Sequence, residues 1–460
     1  MKSAGYIEIL RNNKNFRRLW FGQSISELGT WFSFIAELGV VRVYSGTSWS
    51  TTTLLAARLL PFLILAPFAG VLVDRISRKK ILMSADFLRA LIALGYLFVK
   101  SPDHLWIVYV CGAAMSSFSI FFEGAKNAAL PNLVTPKELL SANVMMYSTR
   151  FLQFTLGSAL GGITAARFGY DAAFVANSVS FAASGALIWL IPAVAMRKRA
   201  SDMEEETLTR SITAGGEGLA VLDAEVPEVE AIPGRAYTIR SFFEDFREGM
   251  AYIRAHSFVR ALILVNIGWA TGGGMINLVY DRIGGHLFAH GAGDHGDWSV
   301  ATLYTGGGVG LFIGMLLARQ AGQWIAEERR AGNFIGWALF LYGILFSIGG
   351  IMPTIGWMAI LVGASRMVLG AEFGVQETFM MRVLPDSIRG RVFTTDRSLE
   401  LGMMTVSMTI GGWMLTWMDP RTMMVISGLL SASPGVVWLI AIWTSGFRVP
   451  GTAVRDTVLE

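Results

Sequence analysis

The stretch Gly70-Val71-Leu72-Val73-Asp74-Arg75-Ile76-Ser77-Arg78-Lys79-Lys80 decides how the rest of the chain is read. It closes one apolar run, at about residues 52–73, and opens another, at about residues 81–99. A dense charge cluster between two runs of that length has to sit in water, so both runs read as membrane-spanning helices joined by a tight loop. The basic excess of the loop places it on the cytoplasmic side.

Composition agrees with that reading. Of 460 residues, 53% are hydrophobic and only 16% are charged, against roughly 25% charged in a soluble domain. The formal charge of +4 arises mostly from loops expected on one side of the membrane, so it reflects topology and not nucleic-acid affinity. Cys111 is the only cysteine, which excludes an intramolecular disulfide and a cysteine metal cluster. The polar, basic start of the chain, residues 1–18, does not read as a cleavable signal.

Working outward, the chain divides into about twelve spans. The first six fall at roughly 19–43, 52–73, 81–99, 104–125, 141–166 and 172–196, and the second six at roughly 258–280, 299–319, 333–353, 355–379, 396–418 and 421–445. An even number of spans after a basic amino terminus puts both termini in the cytoplasm. The expected units are therefore an amino-terminal half (1–196), a connector (197–257), a carboxy-terminal half (258–446) and a tail (447–460). The connector is acidic and polar in its middle and reads there as disordered linker. Its last part, from Ser241 to Arg254, has apolar residues at helical spacing and reads as an amphipathic helix on the membrane face or the transporter floor.

The halves echo each other. Gly70-x-Leu72-x-Asp74-Arg75 is matched by Gly314-x-Leu316-x-Ala318-Arg319, Leu130-Pro131 by Leu384-Pro385, Glu123 by Glu377, and Gly161-Gly162 by Gly411-Gly412. Such repetition implies an all-α membrane protein of two six-helix pseudo-repeats with a binding site at their interface.

The Gly-x-Leu-x-Asp-Arg-x-x-Arg-Lys pattern at Gly70–Lys79 resembles the loop between helices two and three of the major facilitator superfamily. Three further stretches resemble its macrolide-efflux and enterobactin-exporter branch: Asn15-Phe16-Arg17-Arg18-Leu19-Trp20 through Gly29, Leu130-Pro131-Asn132 through Asn143, and Pro385-Asp386-x-x-Arg389-Gly390-Arg391. The resemblance implies a secondary transporter with alternating access. Two departures stand out. Span five has Gly157-Ser158-Ala159-Leu160-Gly161-Gly162 where antiporters of the superfamily often have Gly-Pro-x-x-Gly-Gly, and Gly124-Ala125-Lys126 stands where relatives usually have Pro-Ala-Arg.

Several charged residues carry functional expectations. Gly70, Asp74, Arg75 and Arg78 form a cytoplasmic gate in which the arginines latch onto Glu123 or Glu377. Ionisable residues inside a span are costly unless paired or wet, so each is a candidate site. Glu27, Asp86, Arg89 and Arg150 lie roughly 9–14 Å from the cytoplasmic side at about 1.5 Å per residue. Asp86 and Arg89, three apart, read as part of a charge network between spans one, three and five. Glu27 and Glu37 are the proton-coupling candidates, with ion pairs to Arg150 and Arg58 as the competing reading. Arg366 is read as binding an anionic group or neutralising Glu372. Glu400, at the repeat position of Arg150, is expected to bridge the halves, and Asn266, Trp269, Asn277 and Tyr280 are candidates for the cavity wall, with Arg58, Arg150 and Arg366 as charged candidates for contact with the substrate. After span seven, His286 and His290 have the i,i+4 spacing of a metal pair, but glycines around them favour an irregular loop.

No phosphate loop, cofactor motif or nucleophile–base constellation occurs, so an ATP-driven pump and an enzyme are disfavoured and no cofactor is expected. The leading expectation is a monomeric, proton-coupled exporter of an amphipathic small molecule in a plasma (bacterial inner) membrane, with lipid, substrate and protons as partners. Solute uptake, divalent-metal export and a non-transporting scaffold are the rivals.

Overall fold

A computed structural model describes residues 6–196, 239–289, 295–324 and 328–444. Among these residues helices account for nearly all regular structure, and there is no strand. Nine segments are long and apolar enough to cross a membrane on length and composition. Twelve crossings result once three further facts are added. The helix Pro136–Trp189 is two spans, broken at Gly169, whose φ of 78° is a left-handed conformation open to glycine at no steric cost. Span one (Lys14–Tyr44) and span eleven (Asp386–Met414) are also membrane-length. Both carry ionisable residues in their length, which lowers their hydropathy and requires them to face the bundle interior.

The other crossings are span two (Ser48–Arg75), three (Arg78–Gly95), four (Leu105–Leu133), eight (Asp297–Trp324), nine (Glu328–Gly350), ten (Ile355–Val383) and twelve (Pro420–Thr444). Span seven is interrupted: Ser257–Gly273 and Ile276–Arg282 are separate helices, followed by a π-helical turn at Ile283–Leu287. The sequence reading expects an unbroken span seven and starts span eleven ten residues late. Apolar periodicity cannot detect a break that keeps the chain buried, and the charges at Arg389, Arg391 and Asp396 look like loop until burial is seen.

Both termini of the twelve-span bundle lie on the face that carries the basic loops, called here the basic face; the opposite one is the far face. Exposed tryptophans mark the two ends of the bundle. Trp49, Trp106, Trp298, Trp357, Trp413 and Trp417 ring the far end, and Trp189, Trp337 and Trp443 lie toward the basic end. Such belts sit where a bilayer meets water.

Span one packs chiefly on spans five and six, span eight on ten, and span nine on twelve. The halves meet along two seams, five against eight and two against eleven. The repeated glycine pairs seat both. A Cβ at Gly162 would come within 2.2 Å of Ala301, across the first seam, and one at Gly412 within 2.0 Å of Thr52, across the second. These positions let opposing helices touch.

The connector helix Ile239–Ala255 packs on the basic end of span eleven. Arg391 holds it, 2.9 Å from Asp245 and 2.6 Å from Glu248. The acidic middle of the connector and the tail at 447–460 lie outside the described residues.

Candidate functional site

On the far face, one guanidinium joins the halves. Arg42, at the end of span one, pairs with Asp281 of span seven and Asp297 of span eight. Its Nε also donates to the His295 carbonyl at 3.1 Å. Asp281 accepts from Thr51 of span two at 2.8 Å, and Asp297 from the Tyr170 hydroxyl of span six at 2.8 Å. Arg282 donates to the Gly46 carbonyl at 2.6 Å. The Arg42 and Asp281 side chains are only 4% and 0% exposed, so this cluster seals the far face. Sequence reading does not find it, because its members come from five spans. The one available signal was the pair of aspartates bracketing the His-rich loop.

Beneath the seal an aromatic chain crosses the seam. Trp31 meets Phe154 at 4.5 Å, Phe34 and Phe154 meet Tyr304 at 5.7 and 6.0 Å, and Tyr304 meets Tyr280 at 5.2 Å. Phe346 continues it, 6.1 Å from Tyr280 and 6.2 Å from Tyr342. Edge-on contacts dominate, the arrangement favoured by ring quadrupoles. In the first half, Arg58 lies 4.9 Å above the Phe34 ring and 2.6 Å from Glu37. Glu37 also accepts from Ser33 at 3.3 Å, and Asn177 donates to Ser33 at 2.9 Å. Glu37 is therefore a satisfied, sealed carboxylate. Glu27 differs: it lies 3.9 Å from Arg150, whose side chain is 52% exposed.

Asp86 and Arg89 pair with each other, as their spacing implies. Their surroundings are spans four and six and not one and five: Asp86 accepts from Ser184 at 2.7 Å, and Arg89 sits 4.3 and 4.5 Å from the Phe122 and Phe181 rings. In the second half, Asn266 donates to Asp396 at 3.0 Å and accepts from Gln376 at 2.8 Å, tying spans seven, ten and eleven. Trp269 is 6% exposed and packs edge-on against Phe373 at 5.4 Å. Asn277 accepts from Tyr304 at 3.0 Å.

Several expected pairings take a different form. Glu123, one expected acceptor of the latch, pairs locally with Lys126 at 2.7 Å, one helical turn away. Glu377 is exposed and has no ion pair among the described residues. The loop cations instead cap the end of span six, with Lys79 donating to the Trp189 and Ile191 carbonyls at 2.7 Å and Arg78 to Met196 at 3.4 Å. A helix carboxy terminus attracts such charges. Side chains of Gly70, Asp74 and Arg75 lie outside the description. Glu400 pairs with Arg397 at 2.7 Å and not with Arg150. Arg366 and Glu372 form no ion pair, and neither Glu372 oxygen has a hydrogen-bond partner among the described residues.

His286 is not in an irregular loop. It belongs to the π-helical turn, and its Nε2 lies 2.7 Å from an Arg282 nitrogen. His290 lies outside the described residues. Among the described residues no group of three or more metal-binding side chains occurs. A cleft of about 540 Å³ opens sideways on the five–eight seam, lined by Ile163, Trp298, Thr305, Val309 and Ile360 among others and by no charged residue.

A twelve-span bundle with a cross-half seal and a buried polar and aromatic core is a transporter architecture, and sequence comparison settles which one. The family model for the Major Facilitator Superfamily matches residues 19–396. The chain belongs to this superfamily. Relatives include the bacilysin exporter BacE of Bacillus subtilis (strain 168), 24% identical over 386 residues, covering 83% of each chain. Macrolide efflux protein A of Streptococcus pyogenes is 24% identical over 406 residues, covering 86% of this chain and 87% of the relative. The MFS-type transporter YfiS of Bacillus subtilis (strain 168) is 30% identical over 215 residues, which is 46% of this chain and 50% of that protein. Among solved structures, the nucleoside transporter NupG superposes with a TM-score of 0.61 at 12% identity, covering 94% of this chain and 99% of that one. A bacterial homologue of the iron transporter ferroportin gives 0.61 at 13% identity, covering 92% and 98%. At those identities the likeness is one of fold. The protein is thus a multi-pass membrane transporter and not an enzyme.

Proposed function

We propose that this superfamily member exports an amphipathic small molecule by alternating access, driven by protons. The observation that carries the reading is the contrast between the two ends of the cross-half interface. The far face is shut by a buried ion cluster centred on Arg42, whereas Glu27 and Arg150, toward the basic face, form a long, part-exposed pair. One closed gate above an aromatic core suits a carrier that opens its two faces in turn. The names of the macrolide and bacilysin relatives support efflux as the direction.

In this reading the basic face lies in the cytoplasm of the plasma (bacterial inner) membrane, and the protein acts as a monomer with no nucleic-acid partner. Glu27 is the coupling acid. Its separation from Arg150 leaves room for a proton or a substrate to part the two charges, while Glu37 is committed to Arg58.

Proteoliposomes holding a pH-sensitive dye test this reading under an imposed proton gradient, with macrolides, amphipathic cations and catecholates as candidate substrates. Proton movement on substrate addition that disappears in Glu27→Gln supports it. Movement that survives Glu27→Gln removes the coupling assignment, and accumulation of substrate in the opposite direction removes export.

A further inference from the structure

Arg366 differs from the acid-paired arginines inside the bundle, and from Arg282, which also has no carboxylate at ion-pair distance among the described residues but donates to the Gly46 carbonyl in the far-face seal. Arg42, Arg58, Arg89 and Arg150 each have a carboxylate within ion-pair distance. Arg366, on span ten, has none among the described residues. Its ionisable neighbours are the tyrosines Tyr280, Tyr342 and Tyr304, from spans seven, nine and eight. Glu372 is six residues further on, which at about 100° per residue carries it roughly 240° around the helix and away from the guanidinium.

Two of those tyrosines are also unfinished. Tyr280 and Tyr342 are 2% and 0% exposed. Tyr280 faces the Arg366 guanidinium itself and Tyr342 faces Trp269 and Ser431, and among the described residues neither hydroxyl reaches an acceptor in full hydrogen-bond geometry. The Tyr304 hydroxyl is already engaged with Asn277 at 3.0 Å. Space is kept beside the guanidinium stem: a Cβ at Gly307 would lie 3.6 Å from Arg366 Cγ and 3.7 Å from the Tyr280 hydroxyl. A cation without a counter-charge and two hydroxyls without acceptors are each costly inside a membrane bundle. All three are relieved by one group, an oxyanion. The planar fork of arginine matches a carboxylate in geometry as well as charge.

We infer that Arg366, Tyr280 and Tyr342 bind the anionic head of the transported molecule, a carboxylate or an oxyanion of similar shape. The rings of Tyr304, Phe154 and Phe34 take its apolar body across the seam. This rests on the transport reading but not on its direction or its coupling. A purely structural arginine, held by tyrosine rings alone, gives no preference for an anionic ligand.

The test is equilibrium binding to the purified full-length protein in detergent, read by tryptophan fluorescence, with matched probes: 2-naphthoate against 2-naphthamide, and 4-phenylbenzoate against 4-phenylbenzamide. The carboxylate of each pair is expected to bind at least tenfold more tightly, about 1.4 kcal/mol. Arg366→Gln should erase that ratio and Arg366→Lys keep part of it. Tyr280→Phe/Tyr342→Phe, which keeps both rings, should reduce it several-fold and decides the matter if Arg366→Gln does not fold. Equal affinity within both pairs, no binding of either carboxylate, or a ratio that survives Arg366→Gln overturns the inference. No gradient is involved, so loss of export in liposomes and loss of this site are separate results.

Discussion

Replacing Arg42 by Gln tests the far-face seal directly. In the sealed state the substitution leaves Asp281 and Asp297 buried and facing the same space without their shared cation. Breaking a buried pair by removing one partner costs about 3–5 kcal/mol. Once the halves part, the two carboxylates meet water and the cost vanishes, so the penalty falls on the closed state alone. At about 1.4 kcal/mol per factor of ten, the closed-to-open ratio drops by about two to three and a half orders of magnitude. Asp297→Asn keeps Asp281 beside Arg42 and an acceptor for Tyr170, and should shift the ratio less. Cys111 is the only cysteine, so a Cys111→Ser background accepts two spin labels cleanly. Asp103 and Thr354 are exposed far-face positions on opposite halves. Pulsed electron–electron distance measurements between labels there should show a longer population in Arg42→Gln. An unchanged distribution in a folded Arg42→Gln protein refutes the seal.

Other outcomes follow from the same geometry. Glu37→Gln leaves Arg58 unpaired in the core and should lower Tm, whereas Glu37→Gln/Arg58→Gln should recover much of the loss; a double variant no more stable than Glu37→Gln contradicts the pair. Gly162→Val puts a branched side chain against Ala301 and should hold the five–eight seam apart, visible as faster labelling of Thr302→Cys by a membrane-permeant maleimide in the Cys111→Ser background. Arg391→Ala removes both contacts to the connector helix and should speed amide exchange over residues 239–255 while span eleven keeps its protection.

Much of the fold was legible because apolar runs of membrane length and basic loops are written locally. The break at Gly169 was legible as a loop between spans five and six, though not as a single glycine. Pairings inside one helical turn were legible too: Asp86 with Arg89 needs only i,i+3 spacing. The same rule gives pairs that the sequence reading passed over. Glu123 and Glu400 were assigned to distant arginines, yet Lys126 and Arg397 stood one turn away. What no spacing encodes is which residues from different halves meet. The partners of Arg42 lie 239 and 255 residues along the chain. The Asn266–Asp396–Gln376 network is hidden in the same way, because it needs the packing of spans seven, ten and eleven.

The burial of Arg42 has an environmental consequence. Dissolved ions weaken attraction between charges that water can reach, over a Debye length of about 8 Å at 0.15 M salt. The Lys100–Asp171 pair, with side chains 58% and 60% exposed, is of that kind, but it joins loops within one half. The contacts that bind the halves together are shielded by protein instead, with Asp297 at 6% exposure the most accessible of the three side chains. A bacterium moving between dilute and saline surroundings would therefore keep the same resting bias in this carrier, and osmotic conditions alone would not prise its far side open.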